Sequence, residues 1–217
     1  SFINQKERYN RRLQAKTPEI LASHFLTHFP KHRDCPYCND CKQKHASHPK
    51  KKVHGPPDPE TFVPLGFGDQ QTCDHFLSHE GEHSIKGDRC ALVIFDRGTG
   101  YVDAFPSPSK EASKTKSALQ NFNGNVIPKA MYSDCAPELV LACDELGYPH
   151  NTCLPFAPQS NGVSERQVGK VKDGARTCLV ASGLLPLWWH FAVRCYCFLY
   201  NVTEMCVVEA VSYTHLR

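Results

Sequence analysis

Three acids stand on three elements, in the order Asp, Asp, Glu. Asp74 closes the word Thr72-Cys73-Asp74 and is followed by His75. Asp134 follows a short apolar run ending in Tyr132 and Ser133, and Glu165 follows a loop rich in Pro, Gln, Asn and Gly that runs into a helix start. Gathered together, three carboxylates repel one another and are driven toward their protonated forms unless a cation offsets the charge. Carboxylate oxygens suit hard divalent ions such as Mg²⁺. Two such ions about 3.5–4 Å apart can activate an attacking oxygen and stabilise a leaving one in phosphodiester chemistry. Asp69 is a rival for the first position, being on or near the same strand as Asp74. Asp96 and Asp103 bracket a turn and are expected to be structural.

A second group lies upstream. His24 and His28 are spaced i, i+4, which puts them on one helix face, and Cys35 and Cys38 form a C-x₂-C pair. Cys₂His₂ is a common tetrahedral zinc set. Cys41, His32, His45 and His48 are spare ligands, and Cys35, Cys38 and Cys41 with one His form an alternative set.

These residues need elements to hold them. Residues 1–20 read as a basic arm with a possible helix over Ile3–Ala15. Residues 21–45 hold the His/Cys module, and residues 46–64 form a Lys/Pro-rich linker. A core spans 65–204. It opens with strands over Gly68–Leu77, Arg89–Phe95 and Tyr101–Phe105, the last two joined at Gly98-Thr99-Gly100 as a hairpin. A helix over Lys110–Asn121, a strand over Val126–Ser133 and a helix over Pro137–Leu146 follow. The last has Pro in its first turn and Gly147 after its end. A short strand over Pro149–Leu154 and helices over Gly162–Ser182 and Pro186–Asn201 complete it. An antiparallel hairpin followed by alternating strand and helix predicts an α/β mixed sheet flanked by helices. In the long helix Val168, Val171, Ala175, Cys178 and Leu179 form an apolar stripe. Lys172 and Arg176 return to nearly the face of Glu165, while Arg166 and Lys170 lie further round. Trp188, Trp189, Phe191, Tyr196, Phe198 and Tyr200 read as core of the last helix. Residues 205–217 fit nothing before them and read as a probable truncation followed by a non-native tail.

Charge is unevenly spread. Residues 1–55 carry twelve Lys/Arg against four Asp/Glu, a net of +8, and the remainder thirteen against eighteen, a net of −5. A basic arm favours nucleic acid through phosphate contacts and counterion release. Hydrophobic residues make up 41% of the chain, enough for a true core. No apolar run approaches the roughly 20 residues that span a membrane, so no membrane partner is expected. The twelve cysteines form no repeating framework, and most are expected to be reduced thiols.

The words SDCAPEL (133–139), PFAPQSNGVSER (155–166) and DRGTGYVDAFP (96–106) closely resemble the integrase catalytic core of retroviruses and copia-type retrotransposons, from about Gly66 to Asn201. The resemblance implies a ribonuclease-H-like fold preceded by a small helical zinc module, and DNA integration by metal-dependent end processing and strand transfer. It implies that Asp74, Asp134 and Glu165 are catalytic and hold two Mg²⁺ or Mn²⁺ ions, and that His24, His28, Cys35 and Cys38 hold Zn²⁺. Gln159, Asn161, Lys172 and Arg176 would face DNA. It further implies self-association and a nuclear location. Six residues separate His28 from Cys35, and thirty separate Asp134 from Glu165, both shorter than is usual in the family. Two rival readings remain. One is a catalytically degenerate core that only binds DNA, and the other is a ribonuclease-H-like nuclease that does not join strands.

Overall fold

The computed structural model describes residue 20 and residues 23–42, 63–78, 83–152 and 162–203. The expected helix at Ile3–Ala15, the linker up to residue 62, the Gln159/Asn161 loop and the tail lie outside the described residues.

The core is built on strands β1 (Gln71–Leu77), β2 (Cys90–Asp96), β3 (Val102–Ser107), β4 (Met131–Ser133) and β5 (His150–Thr152). They form one sheet in the order β3-β2-β1-β4-β5. The first three strands pair antiparallel, with Asp74 opposite Val93, whereas β4 lies parallel to β1 and β5 parallel to β4. An antiparallel meander extended by parallel strands on the far side of β1 is the ribonuclease-H-like arrangement. Its helices are α3 (Ala112–Asn123), α4 (Pro137–Leu146), α5 (Gly162–Ser182) and α6 (Trp189–Thr203), the last entered through a 3₁₀ turn at Pro186–Trp188. Two shorter helices, α1 (His24–Thr27) and α2 (Pro36–Cys41), make up the N-terminal module.

Strand alternation gives the sheet two buried faces. On one, Cys73, Leu92, Ile94 and Met131 pack against Ala118, Leu119 and Phe122 of α3 and Leu139, Ala142 and Cys143 of α4. On the other, Val93, Val102 and Ala104 pack against Val171 and Ala175 of α5 and Val193, Tyr196 and Cys197 of α6. The stripe read on α5 is the observed one, because Val168, Cys178 and Leu179 join this second cluster. A Cβ at Gly174 would collide with the Tyr196 ring, so this glycine is what lets α5 and α6 approach closely.

Three expectations need correction. β4 starts at Met131 and not at Val126, since Val126 and Ile127 are exposed and Pro128 offers no N–H to a ladder. Hydrogen bonding to the neighbouring segment begins only with the Lys129 N–H donating to the Gly68 carbonyl (2.7 Å). β1 starts at Gln71, because Gly68 takes a left-handed turn (φ 82°) and donates its N–H to Asp96 Oδ1 at 2.8 Å. In the last helix only part of the aromatic run is core. Tyr196 is fully buried, but Phe191 and Phe198 are 45% and 61% exposed, since a helix on a sheet buries one face.

Polar side chains at the central strands are only partly satisfied, since Gln71 Oε1 and Thr72 Oγ1 are buried without a hydrogen-bond partner. Gln71 donates from Nε2 to Asn123 Oδ1 (2.6 Å), and Gln70 accepts from Arg97 Nη1 (2.6 Å). Asp96, fully buried, accepts from the Gly68 and Thr99 N–H groups and from the Thr99 hydroxyl. It is structural, tying the hairpin turn to the start of β1. No disulfide joins the described cysteines. No helix among the described residues is long and apolar enough to cross a membrane.

Candidate functional site

Successive strands run outward from β1 to β3 on one side and resume as β4 and β5 on its other side, so the strand order reverses beside β1. In open α/β sheets such a switch point, at the carboxyl ends of the strands, is where ligands bind. Gln71 lies level with Met131 and Thr72 with Tyr132. Carrying that register two residues further sets Asp74 level with Asp134, which immediately follows β4. Glu165 lies in the first turn of α5, where the helix dipole favours an acid, and its side chain is exposed.

The electrostatics link the three acids. The Asp74 carboxyl is pushed up to about 6, first by burial, then by the negative charge of Asp134, with Glu165 adding to it. The His75 backbone N–H and Lys110 oppose the shift without cancelling it. Asp134 accepts the Ala136 N–H at 3.2 Å, which turns the chain into α4. Behind it the Ser133 hydroxyl donates to the Asp134 carbonyl (2.9 Å) and lies 2.8 Å from His150 Nε2. Asp69, the rival first ligand, is engaged elsewhere. It accepts the N–H groups of Leu65 and Gly66 and pairs with Lys129 at 2.7 Å, contacts that lower its pKa to about 2.

Two neighbours of the acids were given no role by the sequence. His75, next to Asp74 on the opposite face of β1, lies 3.5 Å from Thr115 Oγ1 and 4.0 Å from Glu138. Burial first, and then Lys110, lower its pKa to about 4, so it is neutral at pH 7. Lys110 is the cation whose field reaches both Asp74 and His75. Only the folding of the β3–α3 connection onto β1 brings it there.

Among the basic residues of α5, Lys172 lies 5.7 Å from the Phe76 ring centroid, on the sheet side that carries Asp74. Arg176 has a protein partner that the sequence did not disclose. Its Nη1 donates to the Cys41 carbonyl of the N-terminal module at 3.3 Å.

That module holds the tightest cluster. His24, His28, Cys35 and Cys38 are all buried, and one potential ligand atom from each lies within 4.8 Å of all the others. His28 Nδ1 is 3.3 Å from Cys35 Sγ and 4.0 Å from Cys38 Sγ, and His24 Nε2 is 3.5 Å from Cys38 Sγ. Bond lengths of about 2.0 Å to nitrogen and 2.3 Å to sulfur on a tetrahedral zinc require nitrogen–sulfur separations of about 3.5 Å. The four residues therefore fit zinc. Burial first, then the His24 charge, lower the His28 pKa to about 4, leaving the neutral imidazole that a metal takes. The alternative set with Cys41 does not form, because the Cys41 thiol is directed at the Arg176 carbonyl (3.9 Å). For the acids, the fit to Mg²⁺ or Mn²⁺ rests on their oxygen donors and on the raised Asp74 pKa, which a cation would relieve.

Comparison with known proteins extends this. No protein-family model matches the chain. A stretch of 104 residues, 46% of the chain, is 28% identical to the Pro-Pol polyprotein of feline foamy virus, and a stretch of the same length is 28% identical to that of simian foamy virus type 1. The chain is similar to a part of the foamy-virus Pro-Pol polyproteins. It spans only 9% of the length of each of them. Among solved structures, the catalytic core domain of BIV integrase superposes over 69% of this chain and 93% of its own, at 18% identity and a TM-score of 0.47. The chain's own strand order gives a mixed five-stranded sheet flanked by helices, preceded by a His/Cys group with the geometry to hold a metal ion.

Proposed function

We propose that this chain is the integrase part of a retrovirus-like or retrotransposon polyprotein, a polynucleotidyl transferase that trims the ends of element DNA and joins them to target DNA. The observation that most supports this reading is the linkage of three acids from three elements. Asp74 in β1 is level with Asp134, which follows β4, and burial first, then the charges of Asp134 and Glu165, raise the Asp74 pKa. Two divalent ions, Mg²⁺ or Mn²⁺, would lower the pKa of the attacking water or hydroxyl and stabilise the leaving oxygen.

The chain's own residues do the rest. Asp74 and Asp134 fix one edge of the site from the rigid sheet, and Glu165 approaches from the end of α5. Lys172, extended over Phe76, offers a cation to a backbone phosphate beside the acids. Gln159 and Asn161 of the preceding loop hydrogen-bond the DNA. Arg176 has donors beyond the one given to Cys41 and extends the basic face. Such backbone contacts position DNA without reading its sequence, so target choice is broad. His24, His28, Cys35 and Cys38 hold a structural zinc ion. The active form is a homo-oligomer working on nuclear DNA.

The test is Mn²⁺-dependent nicking and joining of a labelled duplex by the full chain and by Asp134→Asn. Loss of at least about a hundredfold in the variant is expected, in line with the loss of one well-placed charge-stabilising group. Undiminished cleavage in Asp134→Asn would remove this site from consideration. A second reading, a degenerate core that binds DNA without cutting it, is favoured by one observation. Among the described residues the acids are not drawn into a cluster as tight as the His/Cys group. Salt-sensitive DNA binding with no nicking by the parent chain would select it.

A further inference from the structure

The metal module and the helix that carries Glu165 meet through a defined set of contacts. At the end of α2, the Cys41 carbonyl accepts from Arg176 Nη1 (3.3 Å), and the Cys41 thiol donates back to the Arg176 carbonyl (3.9 Å). Nearer Glu165, the Lys170 ammonium donates to the Tyr200 hydroxyl at 2.8 Å. It also lies 4.5 Å from the Phe29 ring centroid and 4.3 Å from that of Tyr200, while the two rings meet edge-on at 5.9 Å. Lys42 is buried between the two parts and donates to the His28 carbonyl at 2.7 Å.

A module this small is ordered by its metal. Ordering it fixes the Cys41 carbonyl and the Phe29 ring where Arg176 and Lys170 need them. Those two residues lie in the middle of α5. At 1.5 Å per residue Glu165 is only about 8 Å along the axis from Lys170. We propose that metal occupancy of the His24/His28/Cys35/Cys38 cluster is energetically coupled to the order of α5, through Phe29, Cys41 and Lys42 on one side and Lys170, Arg176 and Tyr200 on the other. Arg176 and Lys170 are then positioning residues for the helix that presents Glu165. This rests on the zinc reading of the cluster and not on the acid site. Coupling of this kind is reciprocal, so loosening the contact weakens metal binding by the same factor that metal strengthens the contact.

The experiment uses the full reduced chain, metal-free and with one equivalent of Zn²⁺. Amide exchange is followed in peptides covering residues 165–178, and zinc affinity is measured by competition with a chromophoric chelator. Zinc is expected to slow exchange in α5 by about tenfold in the parent. In a Phe29→Ala/Arg176→Ala double variant the slowing should vanish while zinc still binds, about tenfold more weakly. Lys172→Ala, on the same helix but outside the contact, should keep the full effect. Zinc binding that leaves α5 exchange unchanged in the parent overturns the coupling, as does full protection retained in the double variant. Absence of zinc binding in the chelator competition overturns the zinc reading and the coupling with it, and leaves the acid site untouched.

Discussion

Asp74 shows how a single residue marks the candidate site. Its carboxyl titrates at about 6 in the folded chain, above the ordinary 3.8, because of burial and the nearby acids. The folded state therefore holds an extra proton between about pH 4 and pH 6, and stability falls as pH rises through that window. The destabilisation is then constant above it. Asp74→Asn is expected to stabilise the metal-free chain by about 1–2 kcal/mol at pH 7, after discounting for partial solvent access, and by nothing near pH 4. Urea midpoints for both chains at the two pH values measure this, and equal midpoints at pH 7 would contradict it. His75 acts in the opposite sense. Its pKa is lowered to about 4 from 6.5, so its contribution is present above pH 6.5 and lost as pH falls toward 4. The two windows overlap, so the parent profile is a difference between them. His75→Gln should flatten the acid limb while Asp74→Asn steepens it, which equilibrium unfolding across pH 4–7 separates.

Packing between elements decides how Glu165 is held. α5 lies on β1 and β2 through Val168, Val171 and Ala175, and on α6 where the Tyr196 ring crosses Gly174. On helix propensity alone Gly174→Ala would gain roughly 1 kcal/mol. Here the added methyl meets a fully buried ring, and overpacking costs about 1–3 kcal/mol. A net destabilisation of up to about 2 kcal/mol is therefore expected. Thermal melting would show it as a lowered midpoint, and a raised midpoint would mean that Tyr196 moves aside without cost. Asp96 is the corresponding fixed point at the hairpin. Asp96→Ala leaves the Gly68 and Thr99 N–H donors without their acceptor, and a loss of about 2–4 kcal/mol is expected in denaturant unfolding. A loss below about 1 kcal/mol would mean that water replaces the carboxylate.

At the scale of the molecule, the two apolar clusters of the core contain no residue of the His/Cys segment. Chelation should therefore abolish the near-ultraviolet signal of Tyr37 beside His28 while leaving a cooperative core transition. A single transition lost outright on chelation would show that the core does not fold by itself. The charge division, +8 before residue 56 and −5 after it, predicts DNA binding that weakens steeply with salt. Lys172→Ala should reduce the slope of log affinity against log salt by about 1. An unchanged slope would place Lys172 away from the phosphates.

Much of this was legible in the sequence, because local rules suffice where a signal is local. Pro137 at a helix start and Gly147 after its end bound α4 as read, and the 3.6-residue stripe of α5 is the one it buries. The spacings of His24/His28 and Cys35/Cys38 marked the candidate metal group, and three acids on three elements marked the catalytic candidate. What the sequence could not decide depends on which distant segments come to share a face. Only the parallel register of β1 and β4 carries Asp74 level with Asp134 while Asp69 is spent on Lys129. Only the docking of the module turns Cys41 away from the cluster and gives Arg176 a protein partner. Composition and periodicity describe one element at a time, whereas electrostatic environment and competition for a partner arise between elements, once packing has set their distances.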